Sequence, residues 1–234
     1  MKKITLLLCD DHNVVRAGLL SLLKGAEDIE VIGQAENGPG AVAEAARLQP
    51  DVILMDIAMP LLNGVEATRR IVTEFPAAKV LMLSSYDDDQ HLQQAVAAGA
   101  AGYLLKETAA EDLLLAIHEI AVGNAFFSPA VVKRLSDQRR NRGVQSDSTP
   151  ASPLTTRQRE VVQLIGEGYS SKQMADLLGL SVKTVEKHRQ AVMATLDLHK
   201  IAALTHYAIA QGMIETRAVA SLLVSPLHLA GETD

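Results

Sequence analysis

Five polar side chains close apolar runs in the first half of this sequence. Asp10 and Asp11 follow Ile4–Cys9, Asp56 follows Val52–Met55, Ser84 follows Val80–Leu83, and Lys106 follows Gly102–Leu105. Their types define a chemistry. Crowded carboxylates raise one another's pKa values unless a cation sits among them. A hard divalent metal, Mg²⁺ in particular, is held by one or two carboxylates with water and phosphate oxygens. A carboxylate can attack phosphorus to form an acyl phosphate, and the phosphoryl group in transit needs its oxygens neutralised by a metal, an ammonium and a hydroxyl donor. The set therefore predicts phosphoryl transfer to Asp56, with Asp10 and Asp11 holding metal, Ser84 donating and Lys106 supplying positive charge. His12, beside the acidic pair, reads as a solvated loop residue rather than a ligand.

Such a set works only if the four runs end on one edge of a sheet. Short, near-continuous apolar runs bounded by turn formers, as in "DVILMDIAMPLLNG", read as strands buried on both faces. Five of them (Ile4–Cys9, Val31–Ala35, Val52–Met55, Val80–Leu83 and Gly102–Leu105) alternate with the helical patterns Val14–Leu23, Ala41–Leu48, Val65–Glu74, Gln90–Ala98 and Glu111–Val122. The fold class expected for residues 1–125 is α/β, a doubly wound, five-stranded parallel sheet. Ligands bind such sheets at the carboxyl ends of the strands.

From residue 126 to 152 the periodicity fails. The stretch "SDQRRNRGVQSDSTPASP" is polar and rich in Ser, Arg and Pro, which predicts a flexible linker, with a helical extension at Ala130–Leu135. Residues 153–217 then show four helical patterns with short connections, a small all-α domain. The tail, 218–234, looks frayed apart from a helical turn at Ser221–Val224. Ser170 or Ser171 can cap the second of these helices and Ser181 the third, with a glycine turn, "LLGL", between them, the proportions of a helix-turn-helix. In the third helix Val182, Val185, Val192 and Leu196 are expected on the buried side, and Lys183, Glu186, Lys187 and Gln190 on the outside. Such a face can read base edges while flanking Lys and Arg side chains bind phosphates.

Bulk properties narrow the classes. At 234 residues the chain accommodates two ordinary domains. Its single cysteine, Cys9, lies in an apolar run and reads as a buried hydrophobe, which argues against redox chemistry. No apolar run is long enough to span a membrane, and the stretch before Asp10 is too short for a signal peptide, so a cytoplasmic location without membrane partners is expected. The net charge of −6 is unevenly spread: residues 1–125 carry −9, whereas residues 126–153 carry +3 and 154–217 carry +2. The second half is thus free to meet a polyanion.

The stretches "LLLCDDHNVVRAGL", "DVILMDIAMPLLNG", "VLMLSSYDDD" and "GAAGYLLKE" resemble the receiver domain of two-component response regulators, a flavodoxin-like fold, over roughly residues 3–123. The stretch "LTTRQREVVQLIGEGYSSKQMADLLGLSVKTVEKHRQAVMATLDL" resembles the LuxR-type helix-turn-helix domain. Together they resemble the NarL/FixJ subfamily. The resemblance implies that a sensor histidine kinase phosphorylates Asp56. It implies that Asp10, Asp11, Asp56 and the Ala58 backbone carbonyl hold Mg²⁺, and that Ser84, Lys106 and Tyr103 form the switch. It implies that the helix from Val182 to Leu196 enters the major groove, with Glu186, Lys187 and Gln190 as base contacts and Lys172, Lys183, Thr184 and Arg189 on phosphates or the groove edge. Promoter DNA is the implied partner, the phosphorylated protein the implied homodimer, and RNA polymerase a further candidate partner. The chain departs from the family pattern at Leu61, where glycine is common, at Asn63, where aspartate is, and at Ser84, where threonine is.

Two other functions fit the residues: a DNA-binding transcription factor that uses the receiver only to dimerise, and a Mg²⁺-dependent phosphohydrolase with an aspartyl nucleophile. The second lacks an acid near the nucleophile, since Ala58 stands two residues beyond Asp56. Ala58 is small, whereas Tyr86, two beyond Ser84, is bulky enough to shield an acyl phosphate from water.

Overall fold

A computed structural model describes residues 3–85, 89–108, 110–127 and 153–214. Tyr86, the Ala130–Leu135 extension, most of the linker and the turn at Ser221–Val224 lie outside the described residues. The chain divides into two compact units, Met1–Thr156 and Arg157–Asp234.

In the first unit, strands β1 (Ile4–Cys9), β2 (Ile29–Ala35), β3 (Val52–Asp56), β4 (Val80–Ser84) and β5 (Gly102–Leu105) alternate with helices α1 (Asn13–Lys24), α2 (Gly38–Leu48), α3 (Gly64–Glu74), α4 (Asp89–Ala98) and α5 (Ala110–Val122). The sheet has six strands rather than the five expected. β6, only Phe126–Phe127, pairs in parallel with Gly102 and Tyr103 of β5. Two residues carry no readable period, so only tertiary pairing reveals this strand. The order is β2-β1-β3-β4-β5-β6, every pair parallel.

The unbroken apolar runs follow from burial on both faces. Side chains alternate along a strand. Leu6, Leu8, Val52, Leu54, Leu81, Leu83 and Leu104 share one core with Leu23 of α1 and Leu113, Ile117 and Ile120 of α5. Leu7, Cys9, Ile53, Met55, Val80, Met82 and Tyr103 share the other with residues of α2, α3 and α4. Each such side chain contributes about 1.5–3 kcal/mol when fully buried, so the register of the central strands is strongly specified. β1 lies between β2 and β3, and the chain reverses its direction of travel across the sheet there. The crevice of such a fold opens at the carboxyl ends of the strands flanking that reversal, which is where Asp10 and Asp56 stand.

The second unit contains α6 (Thr156–Gly166), α7 (Ser171–Leu178), α8 (Val182–Thr195) and α9 (Ile201–Ala210). Ser170 caps α7 in a reciprocal capping box with Gln173, and Gly179, at φ +64°, ends that helix in the left-handed conformation glycine tolerates. Ser181 caps α8, its Oγ accepting the Thr184 N–H at 3.1 Å. Val161, Val162, Leu164, Met174, Ala175, Val185, Val192, Leu204 and Ala208 are buried. Val182 is not: it is 41% exposed, against the expectation that it lines the core. It is the first residue of α8 and precedes the stripe of Val185 and Val192, whose spacing is about two turns. Leu196 is half-buried. Among the described residues no helix is long and apolar enough to cross a membrane.

Candidate functional site

Asp56 is the last residue of β3 and lies opposite Leu83 of β4. Ser84 ends β4, and its carbonyl accepts the Lys106 N–H at 2.7 Å, so the ends of β3, β4 and β5 are in step. Asp10, Asp56 and Ser84 are all buried. The Lys106 ammonium reaches in among them, its Nζ 2.9 Å from Asp10 Oδ2 and 2.9 Å from Asp56 Oδ1. Asp10 Oδ1 accepts the His12 backbone N–H at 2.8 Å. Asp10, Asp11, His12 and Asp56 each place a metal-competent atom within 4.8 Å of the others. His12 thus stands in the cluster, its Nδ1 2.9 Å from Asp11 Oδ1, and it is half-buried with that nitrogen inside, not the solvated loop residue expected. Asp56 Oδ2 is buried without a hydrogen-bond partner. A carboxylate-rich donor set with an orphaned buried oxygen fits a hard divalent cation. Ala58, two residues on, is half-buried.

The loops carrying these acids are tied down by further residues, one of which, Arg16, the sequence did not single out. Arg16, buried on α1, donates from Nη1 to the Asp10 carbonyl at 2.7 Å, and from Nη2 to Asn13 Oδ1 at 2.6 Å and Glu36 Oε1 at 2.5 Å. A lone charge in "VVRAGLL" was the available signal, because an arginine among apolar helix positions needs partners. After β3, Asn63 Oδ1 caps α3 by accepting the Glu66 N–H at 2.9 Å, and the Gly64 N–H donates to the Ile57 carbonyl at 2.8 Å. Leu61 adopts φ +68°, which explains why glycine is the common residue at that position of the resembling family. Tyr103 is only 2% exposed and lies opposite Met82, so the aromatic is turned into the core.

Burial pushes the Asp56 carboxyl up from its ordinary 3.8 to about 6; the Lys106 ammonium opposes this shift, and Asp10 and Asp11 add to it. Burial works against the charge on Lys106, but Asp56 and Asp10 more than offset it and leave its pKa raised. Because the folded protein holds the Asp56 proton more tightly than the unfolded chain, this group's contribution to stability falls as pH rises from about 4 to about 6 and stays lower above that range. Asp56→Asn removes this penalty. In buffer free of divalent cations it is expected to stabilise the protein by about 2–3 kcal/mol above pH 6, with the gain fading towards pH 4. Urea unfolding of both proteins across that range checks the sign.

In the second unit Lys172, Lys183, Glu186, Lys187 and Gln190 are exposed, the last four along one side of α8. Two residues expected on the DNA are engaged within the unit. Thr184 Oγ1 pairs with Ser181 Oγ at 2.8 Å in the helix cap. Arg189, half-buried, donates from Nη1 to Ser171 Oγ at 2.9 Å.

A parallel α/β domain with an acid, hydroxyl and lysine crevice, followed by a helix-turn-helix unit, defines a receiver coupled to a DNA-binding module. Residues 6–118 match the response regulator receiver domain and residues 152–208 match the luxR family of bacterial regulatory proteins. The chain belongs to the two-component response regulators with a LuxR-type DNA-binding domain, and so to the regulators of transcription. It is 35% identical over 212 residues to the response regulator protein VraR of Staphylococcus aureus, a match covering 91% of this chain and 99% of VraR. A LuxR-family response regulator of Aurantimonas sp. is 29% identical, with a TM-score of 0.57 over 59% of this chain and 99% of that one. The fold also matches RcsB of Salmonella enterica serovar Typhimurium, solved on the promoter rprA in the presence of the phosphomimetic BeF3⁻. That likeness has 23% identity and a TM-score of 0.58 over 88% of this chain and 98% of that one.

Proposed function

We propose that Asp56 is the phosphoacceptor of this response regulator and that a sensor histidine kinase, by phosphorylating it, controls binding to promoter DNA. The observation that carries the reading is the division of labour within one carboxylate: Asp56 Oδ1 is held by Lys106, while Oδ2 is buried and unpartnered. A carboxylate oxygen attacks the phosphorus of a phosphohistidine, the new O–P bond forms as the P–N bond breaks, and the imidazole leaves. Lys106 and Ser84, at adjacent strand ends, receive the phosphoryl oxygens. Asp10, Asp11, Asp56 and the Ala58 carbonyl would hold Mg²⁺, which when bound neutralises charge on the phosphoryl oxygens. The reaction ends on the protein's own residue, so the receiver is a switch rather than an enzyme acting on a separate substrate.

Phosphorylation adds about −1.5 to −2 charge and three strong acceptors. Ser84 and Lys106 are drawn towards them, Tyr103 follows Ser84, and the surface around Tyr103, α4 and α5 differs between the two states. The receiver, residues 1–125 with β6, connects through the linker that ends at residue 152 to the DNA-binding domain, 153–217, and the tail, 218–234. In the major groove Glu186, Lys187 and Gln190 face base edges, with Lys172, Lys183 and Thr184 towards the backbone and groove edge. One helix-turn-helix reads few bases, so the phosphorylated form binds as a homodimer on paired half-sites. RNA polymerase is a partner at the promoter, and the cytoplasm is where these events occur.

Incubation of the full chain with Mg²⁺ and acetyl phosphate, followed by intact mass and peptide mapping, tests the acceptor. One alkali-labile phosphoryl adduct on the peptide containing Asp56 is expected. An adduct elsewhere, or none from protein that binds Mg²⁺, would overturn the assignment.

A further inference from the structure

α7 and α8 are joined only by the turn at Gly179–Ser181, and a turn by itself leaves the angle between two helices soft. Met174 and Ala175 on α7 and Val185 and Val192 on α8 are buried, so what else acts between the helices is apolar burial. Apolar contact of that kind is not directional. A directional tie would have to join the two helices far from the turn.

Such a tie is present. Arg189 lies about two turns into α8, roughly 10 Å from its start. Its Nη1 donates to Ser171 Oγ, at the opposite end of α7 from the turn, at 2.9 Å. The C-terminal end of α7 is held by a second arginine: Arg157 Nη2 donates to the Leu178 carbonyl at 2.6 Å, while its Nη1 donates to Glu160 Oε2 at 2.6 Å. Glu160, one turn further along α6, is itself buried and holds the Arg157 guanidinium against that helix. α7 is therefore gripped at both ends by guanidinium groups from the flanking helices. The fixed fork of a guanidinium suits this use, since it donates in defined directions.

We propose that Arg189 is a positioning residue: through Ser171 it sets the angle of α8 against α7, and so governs DNA affinity by geometry instead of by contact with phosphate. The inference rests on α8 being the DNA-reading helix.

The two roles differ in their response to salt. Removing a phosphate contact weakens binding to every sequence and lowers the slope of log K against log salt by about 0.9. Removing a tie that aims the helix weakens the preferred sequence and leaves the slope alone. A duplex enriched by the wild-type full chain from a randomised library, and a scrambled version of it, serve as probes across a salt series. Wild-type preference for the enriched duplex tests the DNA-binding reading on its own; the variants test the tie. Ser171→Ala, which changes no charge, is expected to weaken the enriched duplex about fivefold, with the scrambled duplex unchanged. Arg189→Met is expected to do the same with an unaltered slope, and the double variant to be no worse than either single one. Lys183→Ala is the phosphate-contact reference. A silent Ser171→Ala, or an Arg189→Met that weakens both duplexes equally and lowers the slope by about 0.9, would overturn the proposal. Thermal melts of each variant show whether the domain stays folded, and Ser171→Ala carries the test if Arg189→Met does not.

Discussion

Lys106→Met is expected to slow phosphorylation of Asp56 by acetyl phosphate about 100-fold, the usual effect of removing one preorganised donor from a site where charge develops. The substitution keeps the apolar stem and deletes the ammonium that stands 2.9 Å from both Asp10 Oδ2 and Asp56 Oδ1. Two consequences follow from that position. The incoming phosphoryl oxygens lose a cation in a site of low solvent access, where a charge is worth more than in water. Asp56 also loses the main influence holding its carboxyl down, so its pKa rises beyond about 6 and less of it is ionised. Metal binding should respond differently. Lys106 competes with a divalent cation for the same carboxylates, so Mg²⁺ affinity measured by calorimetry is expected to hold or to increase. A time course of intact mass gives the rate. A wild-type rate in the variant would remove Lys106 from the mechanism, whereas simultaneous loss of Mg²⁺ binding would mean that the pocket had collapsed.

Gly64→Ala is expected to destabilise the first unit by about 3 kcal/mol or more, at the upper end of overpacking costs, and to lower its unfolding temperature by roughly 10 °C. A Cβ on Gly64 would stand 1.8 Å from the Asp56 carbonyl oxygen and 3.0 Å from the Met55 side chain. The first contact is with backbone, so no rotamer change relieves it. Gly64 is also the first residue of α3, and its N–H donates to the Ile57 carbonyl, so the loop from Ile57 to Asn63 closes through it. Displacing the loop moves the Asp56 backbone and Ala58 together, and the rate of phosphorylation should fall with the stability. Differential scanning calorimetry of the full chain measures the first effect. A transition at the wild-type temperature would show that the β3–α3 loop is softer than its packing indicates.

Much of the architecture was legible from residue types because it is periodic or capped locally. The apolar runs of β3 and β4 are buried throughout, and those of β1 and β5 apart from Ile4, Thr5 and Leu105, and the serines before α7 and α8 accept the N–H groups that helix starts leave open. Where local signals are absent, residue type alone does not reveal the structure. β6 is too brief to show a period and exists only as a partner of β5. Val182 has the type of a core residue, but its place at the first turn of α8 leaves it 41% exposed. Arg189 has the type of a phosphate contact, yet its guanidinium meets Ser171, 18 residues away in sequence.

The sequence by itself determined which residues could do the chemistry, that each stands at a strand end, and that a sheet domain precedes a helical one. All of this is encoded in residue type and short-range spacing. Only the tertiary structure decided that the ends of β1, β3 and β5 converge closely enough for one ammonium to touch Asp10 and Asp56. Likewise, burial lifts the Asp56 carboxyl to about 6 and Arg16 pins the Asp10 backbone only in the folded chain. The reason is physical: distances between groups 46 to 96 residues apart, and the solvent each group loses, depend on strand order and on the packing of both sheet faces, which no local pattern records.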